Sequence, residues 1–283
     1  MLLQDSRAEQ LSLEMPQEKD LSAMQQRRRA GSEALTPPIT VDDPEGASLL
    51  SRAVHVLSTA ATALSQVTIL YQSDHVARDG LLQAVECIKR VNDAGGKLLI
   101  CGVGKSGLVG MKTVASMKSL GLACAFLHPT EALHGDLGDI RPHDAIMFIS
   151  FSGKTVELMA VLDHVPAHIP VLAITSQTRP ADCQLLRGRP DAILLPAPIH
   201  EQEEVSFGVC APTTSTTVAI AVGDMLMLTL ADAMHADSTK QVFKKNHPGG
   251  AIGETAKRKA ATQDVDGGDS PCAKKHTGLM SPA

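Results

Sequence analysis

Five short apolar runs, Lys97–Val103, Ala123–Leu127, Ala145–Ser150, Val171–Thr175 and Ala192–Leu195, recur along the chain with segments of helical length between most of them. A strand covered by helices on both faces is apolar throughout rather than alternating, and parallel strands need a crossover of helical length. The pattern therefore predicts an α/β domain, a three-layer αβα sandwich around a five-stranded parallel sheet. Two helices should precede the first strand. Apolar residues keep helical spacing from Ala47 to Gln72 (Leu50, Val54, Leu57, Ala61, Leu64, Val67, Leu70), and a second helical pattern from Val76 to Asn92 stops at Gly95-Gly96.

The ends of the chain read differently. Residues 1–45 are rich in Gln, Glu, Arg, Ser and Pro without an apolar period, and residues 254–283 are polar, so both are expected to be disordered tails around a domain spanning 46–253. Two basic clusters in the second tail resemble a bipartite nuclear-import signal only weakly. The start lacks the apolar segment of a secretory signal, and acidic residues precede Arg27-Arg28-Arg29, against a mitochondrial presequence. A cytoplasmic protein is expected.

Composition excludes some partners. A net charge of −5, no Trp, one Tyr and five Phe leave neither the basic surface nor the stacking platforms that nucleic acid requires. The apolar stretch Thr217–Met234 approaches a membrane span in length, but it carries Asp224 and Asp232. Each would cost about 2.5–3.5 kcal/mol at mid-bilayer, so a buried core helix is expected. The six cysteines (87, 101, 124, 183, 210 and 272) form no Cys-x-x-Cys pair and lie mostly in apolar runs, as structural thiols do. No metal is expected: His164 and His168 have ligand spacing, yet Pro166 interrupts the helix between them, and His128 and His134 share no further ligand.

The chemistry should sit where strands turn into helices. The first strand runs into Gly102-Val103-Gly104-Lys105-Ser106-Gly107, and glycines with free amides at a helix start attract an anion. The segment satisfies Gly-x-Gly-x-x-Gly, but the second strand ends at His128-Pro129 rather than at the acidic residue that holds a ribose. Leu99 stands where a Walker loop needs glycine, and Leu108 where a nucleophile elbow does. A phosphate loop of another kind remains.

Ser150-Phe151-Ser152-Gly153-Lys154-Thr155 repeats the theme after the third strand, and Thr213–Thr217 opens the long helix. Each alone could be ordinary capping. Parallel strands nevertheless bring such turns to one edge, where ligands of these sheets bind. Nearby groups able to move protons are His134, Glu157, Glu204 and His247.

Gly102–Gly107, the run His128-Pro129-Thr130-Glu131-Ala132-Leu133-His134-Gly135-Asp136-Leu137-Gly138, Ala211–Thr217 and His247-Pro248-Gly249-Gly250-Ala251-Ile252-Gly253 together resemble the SIS (sugar isomerase) domain of the arabinose 5-phosphate isomerases, from about residue 47 to 253. The resemblance implies an aldose–ketose isomerase that needs no cofactor. It places the catalytic set on Lys105, Glu157, Glu204 and His247. Lys105 would hold a phosphorylated sugar together with Gly104, Ser106, His134, Ser150, Ser152, Thr155, Thr213 and Ser215. A glutamate, with Glu204 favoured, would move the proton through a cis-enediol, and His247 would help open the ring. The resemblance also implies a homodimer or homotetramer. Phe151 and Lys154 depart from the family, which usually has Asn and an acidic residue there, and this leaves the sugar open. The polar residues after Gly253 are too few for the paired CBS modules common in bacterial relatives. A noncatalytic regulator that binds sugar phosphate is the competing expectation, as is an isomerase for another pentose or hexose phosphate.

Overall fold

The computed structural model describes residue 40 and residues 42–249. The tail expectations for 1–39 and 254–283 fall on residues outside that range. The chain divides into two units after Val54, within the first helix. Helix α1 spans Pro44–Ser73 and begins three residues before the apolar spacing starts at Ala47.

The body from His55 onward carries the sheet. Asp74 caps α2 (His75–Asp93), its side chain accepting from the Ala77 amide at 3.0 Å, and α2 buries Ala77, Ala84, Cys87, Ile88 and Val91 on one face. Then come β1 (Leu98–Cys101), α3 (Gly104–Ser119), β2 (Cys124–Leu127), α4 (Pro129–Leu133), β3 (Ala145–Ile149), α5 (Val156–Leu162), β4 (Val171–Thr175), β5 (Ile193–Pro196), α6 (Glu203–Phe207), α7 (Thr214–His235) and α8 (Thr239–Asn246).

The five strands are parallel in the order β2-β1-β3-β4-β5. All five expected strands are present, and β1, β3, β4 and β5 are buried at every position, as a doubly covered sheet requires. Alternate residues feed two cores. Leu98, Ile100, Met147 and Leu172 pack toward α2, α3 and α7, while Leu99, Ile146, Phe148 and Ala173 pack toward α5 and the segment around Leu185. Phe148 is completely buried at the centre of the second core.

Helix α7 buries Val218, Val222, Leu226 and Leu230 in a stripe against the sheet. Both α1 and the α7–α8 stretch are long and apolar enough to cross a membrane by length and composition. For α7 that apolarity is used in the core, in line with the reading of a core helix. Much of α1 is not so used: Leu57 is 72% and Ile69 56% exposed.

Because the strand order changes direction between β1 and β3, their adjacent carboxyl ends form the switch point at which ligands of such sheets bind.

Candidate active site

A cavity of about 430 Å³ opens at that carboxyl edge, within the range of small-molecule sites. Its wall takes Lys105 and Ser106 from the β1–α3 turn, Phe151 from the β3 end, and Thr175 and Ser176 from the β4 end. Glu203 and Glu204 of α6, Cys210, and Ser215 and Thr216 of α7 close the other side.

The β1–α3 turn is built by its glycines. Gly104 has φ +58°, the left-handed region that glycine enters without strain. A Cβ on Gly107 would come within 2.8 Å of the Gly102 carbonyl oxygen, so strand end and helix start meet backbone to backbone. This close approach lays the first turn of α3, whose amides lack intrahelical acceptors, along the cavity with Lys105 and Ser106.

The second turn folds inward. Ser150 is buried; its hydroxyl pairs with Thr155 Oγ1 at 2.7 Å and accepts from the Gly153 amide at 3.1 Å. Ser152 Oγ accepts from the Lys154 amide at 3.3 Å. The hydroxyls of Thr175 and Ser176 both donate to the Phe151 carbonyl, at 3.1 and 2.6 Å, which seats Phe151 as the cavity's wall at this edge.

On the opposite side two consecutive carboxylates divide their tasks. Glu203 Oε1 accepts from the Thr213 amide at 2.6 Å, the Ser215 amide at 3.0 Å and the Ser215 hydroxyl at 2.9 Å. Glu204 Oε2 accepts from the Cys210 thiol at 3.3 Å. That hydrogen bond, together with the carboxylate's charge, raises the Cys210 thiol above its ordinary range. Burial instead pushes Cys101 up to about 12 and Cys124 up to about 11. Cys87, Cys101, Cys124 and Cys183 are buried as expected, whereas Cys210 is exposed at the cavity.

Of the residues expected from sequence, Lys105, Ser106, Glu204 and Ser215 come together on this cavity. Gly104 shapes its first turn, and Thr213 meets it through the Glu203 contact. The remaining ones lie elsewhere. Glu157 is exposed in the first turn of α5, and His134 is exposed at the end of α4. His247 stacks on Phe243 at a ring separation of 4.1 Å, and its Nε2 lies 3.2 Å from Ser119 Oγ. Ser119 ends α3 and Lys105 lies in its first turn, so His247 sits about 20 Å down the helix from Lys105 at 1.5 Å per residue. Glu203, Phe151, Thr216 and Cys210 line the cavity without having been singled out as site residues. Among the described residues no group of three or more His, Cys, Asp or Glu could hold a metal ion.

Comparison with known proteins agrees with this fold. The SIS domain model matches residues 92–228. A probable arabinose 5-phosphate isomerase of Haemophilus influenzae is 36% identical over 212 residues, covering 74% of this chain and 59% of that protein. The chain spans 58–59% of the length of the curated relatives it matches first. A Bacteroides fragilis structure described as a putative phosphosugar isomerase involved in capsule formation superposes with a TM-score of 0.57 at 28% identity, over 70% of this chain and 97% of that one. An Escherichia coli protein in complex with arabinose 5-phosphate superposes with a TM-score of 0.59 at 26% identity, over 71% and 98%. Residues 92–228 match the SIS domain, and the chain resembles the arabinose 5-phosphate isomerases.

Proposed function

We propose that this protein is a sugar-phosphate aldose–ketose isomerase, and that it interconverts D-arabinose 5-phosphate and D-ribulose 5-phosphate. The supporting observation is that a cation, Lys105, and a carboxylate, Glu204, line one cavity at the switch point, on different elements. One end can hold a phosphate and the other can reach a carbon-bound proton.

In this reading the phosphate binds at the start of α3, on the amides and the Lys105 ammonium, with Ser106 as a further donor. Glu204 removes the proton from C2 of the open-chain aldose, while the C1 carbonyl oxygen takes up a proton. The product of that step is a cis-enediol. Glu204 then returns its proton to C1 and the C2 hydroxyl loses its own, leaving the C2 ketone; no atom or electron is exchanged with a cofactor. Phe151 supplies an apolar wall that excludes water from the enediol.

His247 enters this scheme as the group that assists ring opening. Within one chain it is far from Lys105, so the scheme requires a homo-oligomer in which a second copy brings its His247 segment to the cavity. Exposed apolar side chains of α1, Val56, Leu57 and Ile69 among them, offer a surface on which copies can associate. Glu157, at the start of α5, and His134, at the end of α4, take secondary places in this reading. The protein is assigned to the cytoplasm.

The test is a panel of pentose and hexose phosphates, following turnover by product analysis and binding by thermal shift. Turnover of ribulose 5-phosphate above the other sugars supports the assignment. Stabilisation without turnover across the panel would instead make the protein a noncatalytic sugar-phosphate binder.

A further inference from the structure

We propose that Glu203 is a positioning residue: by anchoring α6 to the start of α7 it fixes the neighbouring Glu204 on the cavity wall. The catalytic consequence rests on reading Glu204 as the proton-transfer base; the anchoring itself does not.

Helix α6 is five residues long, and no side chain caps its N-terminus. Its contacts with the body are few. His55 Nε2 lies 3.1 Å from the Ser206 carbonyl oxygen, and the His55 ring meets Phe207 edge-on. The strongest tie is Glu203, whose Oε1 gathers the Thr213 and Ser215 amides and the Ser215 hydroxyl at 2.6–3.0 Å, with Thr213 Oγ1 at 3.4 Å.

All these donors belong to the start of α7, a helix of 22 residues whose N-cap residue, Thr213, makes no side-chain capping bond. Unpaired amides and the positive end of the helix dipole favour a carboxylate there over a neutral acceptor. Ser215 is buried, so its hydroxyl also needs a partner. Glu203 therefore does for α7, from a distant segment, what an N-cap side chain does locally. Its own backbone is held in consequence.

Glu204 is the next residue, turned about 100° round the short helix. With Glu203 directed at α7, Glu204 is left facing Cys210. Two adjacent acids thus have unlike roles, one docked and one presented to the cavity. A loss of reach at Glu203 releases α6 and moves the Glu204 carboxylate.

Cys210 reports on that placement. Its thiol donates to Glu204, which shifts it toward the protonated form, and only the thiolate reacts with alkylating agents. The other described cysteines are buried, and Cys272 is removed by Cys272→Ser. The experiment measures iodoacetamide labelling of Cys210 at pH 8.5 in wild type, Glu203→Asp, Glu203→Ala and Glu204→Gln, each in that background.

Glu203→Asp keeps the charge but loses a methylene of reach. Its labelling rate rises by about threefold or more, the thiolate fraction growing up to tenfold per pKa unit, and approaches that of Glu204→Gln. In both Glu203→Asp and Glu203→Ala, kcat falls by about 10²-fold, as an ångström of misplacement costs, while KM stays within about threefold. Glu203→Gln, with an acceptor at the same reach, recovers most of kcat. Labelling of Glu203→Asp at the wild-type rate would overturn the proposal, as would kcat falling only in step with the folded fraction. If Glu203→Ala fails to fold, the Asp and Gln variants decide alone. If labelling rises as expected but the wild type turns over no sugar phosphate, the anchoring stands and the isomerase reading falls.

Discussion

Gly107→Ala tests whether the close approach of strand and helix sets the phosphate end of the cavity. The added methyl would sit 2.8 Å from the Gly102 carbonyl oxygen, 3.3 Å from its carbon and 3.5 Å from Phe126 Cζ. The first two contacts are backbone, so relief needs about half an ångström of movement between β1 and α3, given carbon contact distances of about 3.5–4.0 Å. Overpacking of this kind costs about 1–3 kcal/mol, and replacing glycine in a helix returns about 1 kcal/mol. The net loss is about 0–2 kcal/mol, a fall in Tm of no more than roughly 8 °C at this size. The same movement shifts Lys105 and Ser106. Since an ångström of misplacement costs about 10²-fold, kcat/KM should fall by about tenfold. Gly110→Ala is the control. Its methyl would meet Ile100 Cγ2 at 3.1 Å and Phe126 Cε2 at 3.2 Å, side chains that can yield, so kcat/KM should stay within about threefold of wild type. Differential scanning calorimetry and initial rates on the same preparations check both. Wild-type kcat/KM in Gly107→Ala, or a larger loss in Gly110→Ala, would refute the reasoning.

Other predictions follow from the same geometry. Lys105→Ala raises KM for the sugar phosphate by about tenfold, the low end for a charge-assisted hydrogen bond, and steady-state kinetics read it directly. Mixing inactive His247→Ala with inactive Glu204→Gln restores part of the activity if a second copy supplies His247, whereas no restoration would place ring opening elsewhere. The buried thiols predict alkaline lability. Unfolded cysteine titrates near about 8.5, and the folded protein holds Cys101 up to about 12 and Cys124 up to about 11. Their contribution is full below about pH 8.5 and is lost as pH rises through the folded values, because the unfolded chain binds fewer protons. Tm measured between pH 8 and 10.5 should therefore decline, less steeply in Cys101→Ala. Leu57→Asp at an exposed position of α1 lowers the sedimentation coefficient if that helix joins copies.

What the sequence made legible follows from how local each signal is. Five apolar runs announced five strands because a doubly covered strand has no polar face to interrupt it. Lys105 and Ser106 were readable because a strand, a glycine turn and a helix lie consecutively in the chain. Glu203 was not, since two adjacent glutamates in a short acidic loop look alike until α7 offers its amides to one of them. Nor did spacing show that the Ser150 and Thr155 hydroxyls would satisfy each other. The position of His247 escaped for a different reason. The path of α8 back along α3 to Ser119 depends on long-range packing, not on the residues that flank it.

The proposed isomerisation depends on Glu204 moving a proton between adjacent sugar carbons. The most direct measurement incubates the purified protein with ribulose 5-phosphate in deuterated water and follows arabinose 5-phosphate by NMR, alongside Glu204→Gln. Product should form with deuterium at the exchanged carbon, and both should fall by at least about 10³-fold in the variant, within the range for removing a positioned acid–base group. Turnover undiminished in Glu204→Gln would contradict it.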